Sequence, residues 1–216
     1  MSYNKNQFSF SLFSFSSCNT YTRIILVLFL CFFNLVYSAE EETKIYIYAK
    51  CELIALSNYN ITGVITFKQN YNGGNVQVNG EVSKLLNSKQ GFTIHENKLS
   101  TEDCSGIGNH YNPYSVSHGG RDKDTTSRHL GDLGNIDSTN FEFSDSLISL
   151  QGQTSIIDRT CAIHLNEDDL GLGEGESATN GNSGEVVTCG LIVETDESSI
   201  MRINLIFLFT LIYLLS

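Results

Sequence analysis

The chain lacks several things that would have pointed elsewhere. No Cys-x-x-Cys pair occurs in its 216 residues, which argues against a thiolate zinc site or a redox-active dithiol. Hardly any stretch shows the 3.6-residue apolar period of a helix, which leaves strands to build the fold. Positive charge is scarce: 13 Lys and Arg stand against 24 Asp and Glu, and a chain so anionic is not built for nucleic acid. Histidine is sparse too. Its five copies fall in two segments only, 91–132 and 159–171.

The two ends differ from the middle. Arg23 precedes the apolar run IILVLFLCFFNLVYSA, with small residues at Ser38 and Ala39. Residues 1–38 therefore read as a secretory signal peptide with a long polar start, the alternative being a retained signal anchor. The last fourteen residues, 203–216, are apolar but shorter than the ~20 a spanning helix needs. With Ser198 and Ser199 just upstream, residues 199–216 read as a GPI-attachment propeptide with Ser198 as the attachment site, or else as a membrane tail. That leaves 39–198 as one domain of sufficient size for a core. It carries all 24 acidic residues against ten basic ones, a formal charge of −14. The expected place is outside the cell, lipid-anchored to the plasma membrane. The sequon Asn60-Ile61-Thr62 suits a secreted chain.

Within 39–198 the alternation of apolar residues predicts strands over 44–56, 63–69, 75–85, 91–96, 141–152, 155–165 and 185–194. NYNGG (70–74) reads as a hairpin turn, and Gly80 as a bulge in the third strand. Residues 97–132 and 166–184 read as two long Gly-rich loops. The class is all-β, an antiparallel sandwich or barrel, and loops of that length are usually functional. Four cysteines remain after the signal: Cys51, Cys104, Cys161 and Cys189. In an oxidising compartment they are disulfide candidates.

Imidazole is the commonest metal ligand among side chains. His110, His118, His129 and Asp132 lie close in one loop, and three imidazoles with one carboxylate suit tetrahedral Zn2+. His95, at the end of one strand, and His164, at the end of another, can come near through sheet pairing. With His110 shared they can hold a second metal, and imidazole also suits copper. Strand periodicity puts Thr93 and His95 on one face.

The ordered motifs GFTIHE, GNHYNP, HGG, RHLGDLGNI, DRTCAIHLNEDDLG and GNSGEVVTCGLI resemble the Cu/Zn superoxide dismutase family over about residues 44–193. The resemblance implies an eight-stranded Greek-key barrel. It implies zinc at His110, His118, His129 and Asp132, and copper (Cu2+/Cu+) at His95, His110 and His164, with His110 bridging and catalytic. It implies a Cys104–Cys189 disulfide, closing a loop of about 85 residues and worth about 4–5 kcal/mol. It implies that Asp168 orients ligands from outside the metal shell. Cys51 and Cys161, in predicted strands, read as two buried thiols acting as small apolar residues, or as a second disulfide. A homodimer is an assembly the sequence leaves open.

Two positions depart from the family. Where its strand carries His-x-His, this chain has Thr93-Ile94-His95, so one copper ligand is replaced by a hydroxyl. Where the family has an arginine that attracts superoxide beside copper, this chain has Val186. Residues 165–188 hold no Lys or Arg but hold Glu167, Asp168, Asp169, Glu174, Glu176 and Glu185, a field that opposes anion steering. The expected function is an extracellular superoxide dismutase of reduced activity acting on superoxide anion. The alternatives are a non-catalytic zinc-stabilised member with a structural or surface-binding role, and a copper-holding protein.

Overall fold

In the computed structural model the described residues are 46–196, with Tyr21 alone outside that span. The predicted signal segment, the anchor segment and Ser198 lie outside the described residues.

The eight strands are β1 (Tyr46–Leu53), β2 (Gly63–Asn70), β3 (Val76–Val82), β4 (Gln90–His95), β5 (Asp132–Ile136), β6 (Asn140–Asp145), β7 (Thr160–His164) and β8 (Val186–Thr195), with one short helix, α1 (Ser177–Asn180). All ladders are antiparallel, and the strands run in the order β5-β4-β7-β8-β1-β2-β3-β6. The predicted class is correct: the strands form a nearly closed barrel with Greek-key crossovers.

The barrel is sewn shut by side chains where the ladder stops. Strands β5 and β6 are joined by residues 137–139, with no ladder between them among the described residues. Phe92 lies 5.7 Å from Phe141 and 6.3 Å from Phe143 by ring centroids, and the Arg121 guanidinium sits 3.9 Å over Phe143. Aromatic pairs at such distances add to their area of burial.

Two kinds of strand result. β1 and β3 alternate strictly between buried and outward residues, as expected for a sheet with one wet face. Strands β4 and β7 are buried at every position. Their inner face gives Phe92, Ile94, Cys161 and Ile163 to the core. Their outer face carries Thr93, His95, Ala162 and His164, covered by the two long loops. That covered outer face is where the site forms.

Several expectations need correction. Gly80 is no bulge: β3 keeps an unbroken register through it, opposite Ile65 and Phe141. A Cβ there would lie 2.0 Å from the Phe141 ring, so the glycine makes room for the aromatic that closes the barrel. The predicted strand 141–152 ends at Asp145, whose Oδ1 accepts the N–H groups of Leu147 and Ile148 and turns the chain. The predicted strand 155–165 shrinks to Thr160–His164. DLGNI forms β5 within and beyond what reads as loop. Finally, Cys51 and Cys161 are not free thiols: they form a disulfide, as Cys104 and Cys189 do. Because β8 lies between β1 and β7, the Cys51–Cys161 bridge passes over Gly190, where a Cβ would lie 2.7 Å from Cys51 Sγ.

Candidate metal centre

The long loop is threaded onto β4 before any side chain is considered. The Ile94 N–H donates to Gly131 O (2.9 Å), the Tyr111 N–H to Ile94 O (2.8 Å) and the Gly131 N–H to Tyr111 O (3.0 Å). Gly131 permits this approach, since a Cβ there would lie 2.1 Å from Ile94 O. An isolated bridge sets His95 beside His110. The loop after β7 is tied in by the His118 N–H, which donates to Ala178 O at 2.8 Å. Loop ends therefore bring together ligands that the sequence keeps up to 69 residues apart.

Two groups of side chains result, and they share one imidazole. In the first, Asp132 Oδ1 lies 2.9 Å from His110 Nδ1, 3.0 Å from His118 Nδ1 and 3.1 Å from His129 Nδ1. In the second, the imidazole nitrogens of His95, His110 and His164 come within 4.8 Å of one another. His110 lies 5.4 Å and 5.9 Å from His118 and His129 by ring centroids, and 5.2 Å and 5.5 Å from His95 and His164. All six side chains are buried.

Hydrogen bonds on the far side of each ring set which nitrogen keeps a lone pair. His118 Nε2 donates to Asp168 Oδ1 (2.8 Å) and His129 Nε2 to Val116 O (3.0 Å), which leaves their Nδ1 atoms turned toward Asp132. His95 Nδ1 donates to Gly108 O (2.8 Å) and His164 Nδ1 to Gly184 O (2.9 Å), so their Nε2 atoms face inward. Orientation of this kind is how protein groups outside the shell prepare a metal ligand. Asp132 Oδ2 is held by the N–H groups of His129 (2.8 Å) and Gly119 (3.1 Å).

The fit to metal ions follows from these contacts. Zinc–ligand distances near 2.0–2.1 Å give tetrahedral edges of about 3.3–3.4 Å, close to the 2.9–3.1 Å separations found without an ion. His110 Nε2 and His118 Nδ1 are buried with no hydrogen-bond partner, and buried polar atoms left this way need an explanation. A cation in each group supplies one.

The electrostatics divide along the same line. Burial would raise the Asp132 carboxyl, but bonds from His110, His118 and His129 outweigh it and hold it well below the usual carboxylate range. Burial lowers His118, yet Asp132 and Asp168 more than offset this and carry it up to about 9. His95 drops to about 3 and His164 to about 4, in both cases from burial first and from His110 second. His95 and His164 are thus neutral across the physiological range.

Thr93 sits among the second group, fully buried. Its Oγ1 lies 2.9 Å from His164 Nε2. With His164 Nδ1 committed to Gly184 O, the hydroxyl is the donor. Asp168 Oδ2 is buried and has no hydrogen-bond partner. Val186 pairs with His164 in the β7–β8 ladder and packs against the Cys104–Cys189 cluster. Around the rim, Glu167, Glu174, Glu176 and Glu185 are exposed, Glu167 paired with Lys89 at 3.0 Å.

One contributor has no counterpart in the sequence reading. Arg128 is fully buried. Its Nη1 donates to Asp132 O and its Nη2 to Asp145 Oδ2, each at 2.6 Å. It braces the backbone of Asp132 from beneath. A basic residue beside a ligand histidine is the only hint the sequence offers.

The profile of the copper/zinc superoxide dismutase family matches residues 61–192. Cu-Zn superoxide dismutase 4 of Dictyostelium discoideum is 44% identical over 140 residues, covering 62% of this chain and 91% of its own. The extracellular Cu-Zn superoxide dismutase of Caenorhabditis elegans is 41% identical over 182 residues, 82% of this chain and 80% of its own. That of Drosophila melanogaster is 41% identical over 141 residues, 62% and 77%. Barrel, paired imidazole groups and sequence agree, and the chain belongs to the copper/zinc superoxide dismutase family.

Proposed function

We propose that this chain is a secreted Cu/Zn superoxide dismutase, held at the cell surface by a lipid anchor, that works more slowly than a member with a full set of copper ligands. The observation that carries the reading is the shared imidazole of His110, with Nδ1 toward Asp132 and a partnerless Nε2 toward His95 and His164. His110, His118, His129 and Asp132 would hold zinc. His95, His110 and His164 would hold copper. When bound, copper supplies a one-electron couple that lets two superoxide anions and two protons become O2 and H2O2.

The chain's own residues do the rest. Asp132 and the two N–H groups on its Oδ2 fix His110 from the zinc side. His110 Nε2, with no protein partner, is the atom that takes up a proton and delivers it to the peroxide product, as a general acid does. His95 and His164, kept neutral by burial, present lone pairs rather than protons. Asp168 sets the tautomer of His118.

The slower turnover rests on Thr93, on Val186 and on the exposed acidic rim. A neutral hydroxyl adds little to a copper shell, and the rim repels an anion that a positive field would draw in by roughly 10–10³-fold. Secretion is supported by the extracellular relatives, by the two disulfides and by the exposed sequon residue Asn60. Anchoring rests on Ser198 and the apolar 199–216, and release from cells by a phosphatidylinositol-specific phospholipase C tests it.

The activity test is dismutation by protein loaded with both metals. The Thr93→His/Val186→Arg double variant gains at least about tenfold over the wild type; no gain refutes the claim that these two positions slow the enzyme. A second reading, a non-catalytic zinc-stabilised barrel, is favoured by Thr93 alone, and wild-type protein that holds zinc and copper yet shows no dismutation establishes it.

A further inference from the structure

We infer that the end of the barrel bearing Tyr46, Tyr48, Lys68 and Tyr71 rests on the phosphocholine headgroups of the membrane leaflet that anchors the chain. The inference rests on the proposed anchoring and adds which face meets the lipid.

The register fixes where the chain leaves the barrel. β8 is antiparallel to β1 with Thr195 opposite Tyr48, and β2 is antiparallel to β1 with Asn70 opposite Tyr46. The start of β1, the end of β2 and the end of β8 therefore share one end. Asp196 is the last described residue, and only 197–202 separate it from the apolar stretch 203–216. Six residues span at most about 20 Å, so a lipid attached at Ser198, or a membrane that takes up the tail, is tethered close to this end. An anchor retained ahead of Tyr46 would hold the same end, because the chain enters β1 there.

The side chains at this end suit an interface between water and lipid. Tyr46 and Tyr71 are 38% and 54% exposed, with Tyr48 and Lys68 half-buried beside them. The Tyr46 and Tyr48 rings lie 6.2 Å apart, and Lys68 Nζ lies 4.2 Å and 5.4 Å from their centroids. Tyr71 is in the hairpin after β2, fixed by the Gly73 N–H donating to Asn70 O (2.8 Å) and Gln151 Nε2 donating to Tyr71 O (2.9 Å). The other large apolar side chains exposed within 46–196, Val64, Tyr114 and Leu172, lie elsewhere. Tyrosine is enriched at headgroup depth, and a lysine stem lies along apolar surface while its ammonium reaches a polar group. Aromatic rings attract quaternary ammonium groups, and an ammonium pairs with phosphate. Glu194 and Asp196 are exposed at the same end, and residues 39–198 carry a formal charge of −14. That charge disfavours an anionic surface, so the leaflet that fits is zwitterionic phosphatidylcholine.

Docking this end sets the orientation of the metal centre. β8 starts at Val186, opposite His164, and runs ten residues to Thr195. At about 3.3 Å per residue the strand holds His164 about 30 Å from the docked end.

The chain has no tryptophan, so one introduced residue reports its own depth. The test uses the full anchored chain in phosphatidylcholine vesicles, with and without bromine on the acyl chains, which quenches on contact. Tyr71→Trp loses at least about half its emission to the brominated lipid, as a ring at headgroup depth does. Leu172→Trp, in the loop over the metal centre, loses none. A second arm needs no variant: Lys68 of the vesicle-bound wild type reacts with a water-soluble acylating reagent several-fold more slowly than after release by phospholipase C, while exposed Lys89 reacts equally before and after. Equal quenching in the two variants, or protection of Lys68 that persists after release because a second copy covers it, overturns the inference and leaves the anchor reading intact. A chain that does not associate with the vesicles at all overturns both.

Discussion

The two halves of the metal centre share His110 and differ in almost everything else. The His118 side closes on a carboxylate, Asp132, whose oxygens are both engaged, one by three imidazoles and the other by two backbone N–H groups. Arg128 braces the Asp132 backbone carbonyl from the core. Among the described residues the His95 side has neither a carboxylate nor a buried cation behind it, only three inward nitrogens and a threonine hydroxyl. The first group is closed by its own side chains, and the second leaves its shell open.

The sharpest break comes from Asp132→Ala. It removes the atom on which three imidazoles converge, so zinc affinity falls by at least about 10³-fold, and folding stability drops by about 3–5 kcal/mol as buried His118 and the N–H groups of Gly119 and His129 lose their partner. Zinc competition and urea unfolding read the two effects. His95→Ala on the other half weakens copper and leaves zinc within a few-fold.

The disulfides sort the same way. Replacing Cys104 and Cys189 by serine costs about 4–5 kcal/mol and loosens metal retention, because Cys104 lies in the ligand-bearing loop. Replacing Cys51 and Cys161 by alanine costs a similar amount, with metal retention unchanged, because that bridge joins core strands. Denaturation midpoints and metal off-rates on both variants separate the two.

Acid and base probe the halves separately in metal-free protein. His95 and His164 lie at about 3 and 4 when folded, below the 6.5 of an unfolded histidine. Their contribution is full above about pH 6.5 and is lost as pH falls toward 3. His118, at about 9, acts oppositely: its contribution is full below about 6.5 and is lost as pH rises through 9. Unfolding free energies from urea titrations in chelator at pH 4.5, 6.5 and 9 therefore peak at the middle value, by at least about 1.4 kcal/mol over either side. His118→Gln flattens the alkaline limb alone.

Val186→Arg is expected to have the smallest effect. It places a cation at the rim beside His164 and raises dismutation by several-fold at low salt, with the gain fading as ionic strength rises.

What the sequence could show depended on whether a residue's role is local. The alternation in YIYAKCEL and VQVNGEV marks β1 and β3 because each strand keeps one wet face. DLGNI gives no such signal: it has five residues, Gly134 has a positive φ of 71°, and most of it is buried because a loop covers it. The imidazoles stand out by their spacing and motifs. Arg128 does not, since its partners Asp145 and the Asp132 carbonyl are defined only by the fold. The Cys51–Cys161 pairing is hidden for the same reason: it spans an intervening strand, and nothing local says that Gly190 leaves room for the sulfurs. The bulge expected at Gly80 fails because a glycine in a strand also serves where a ring from the next strand needs its space.

The most direct test of a closed site beside an open-shelled one is metal analysis of protein reconstituted aerobically with both ions and then dialysed against EDTA. The account predicts close to one zinc per chain and copper well below one. Equal retention of the two, or copper without zinc, contradicts it.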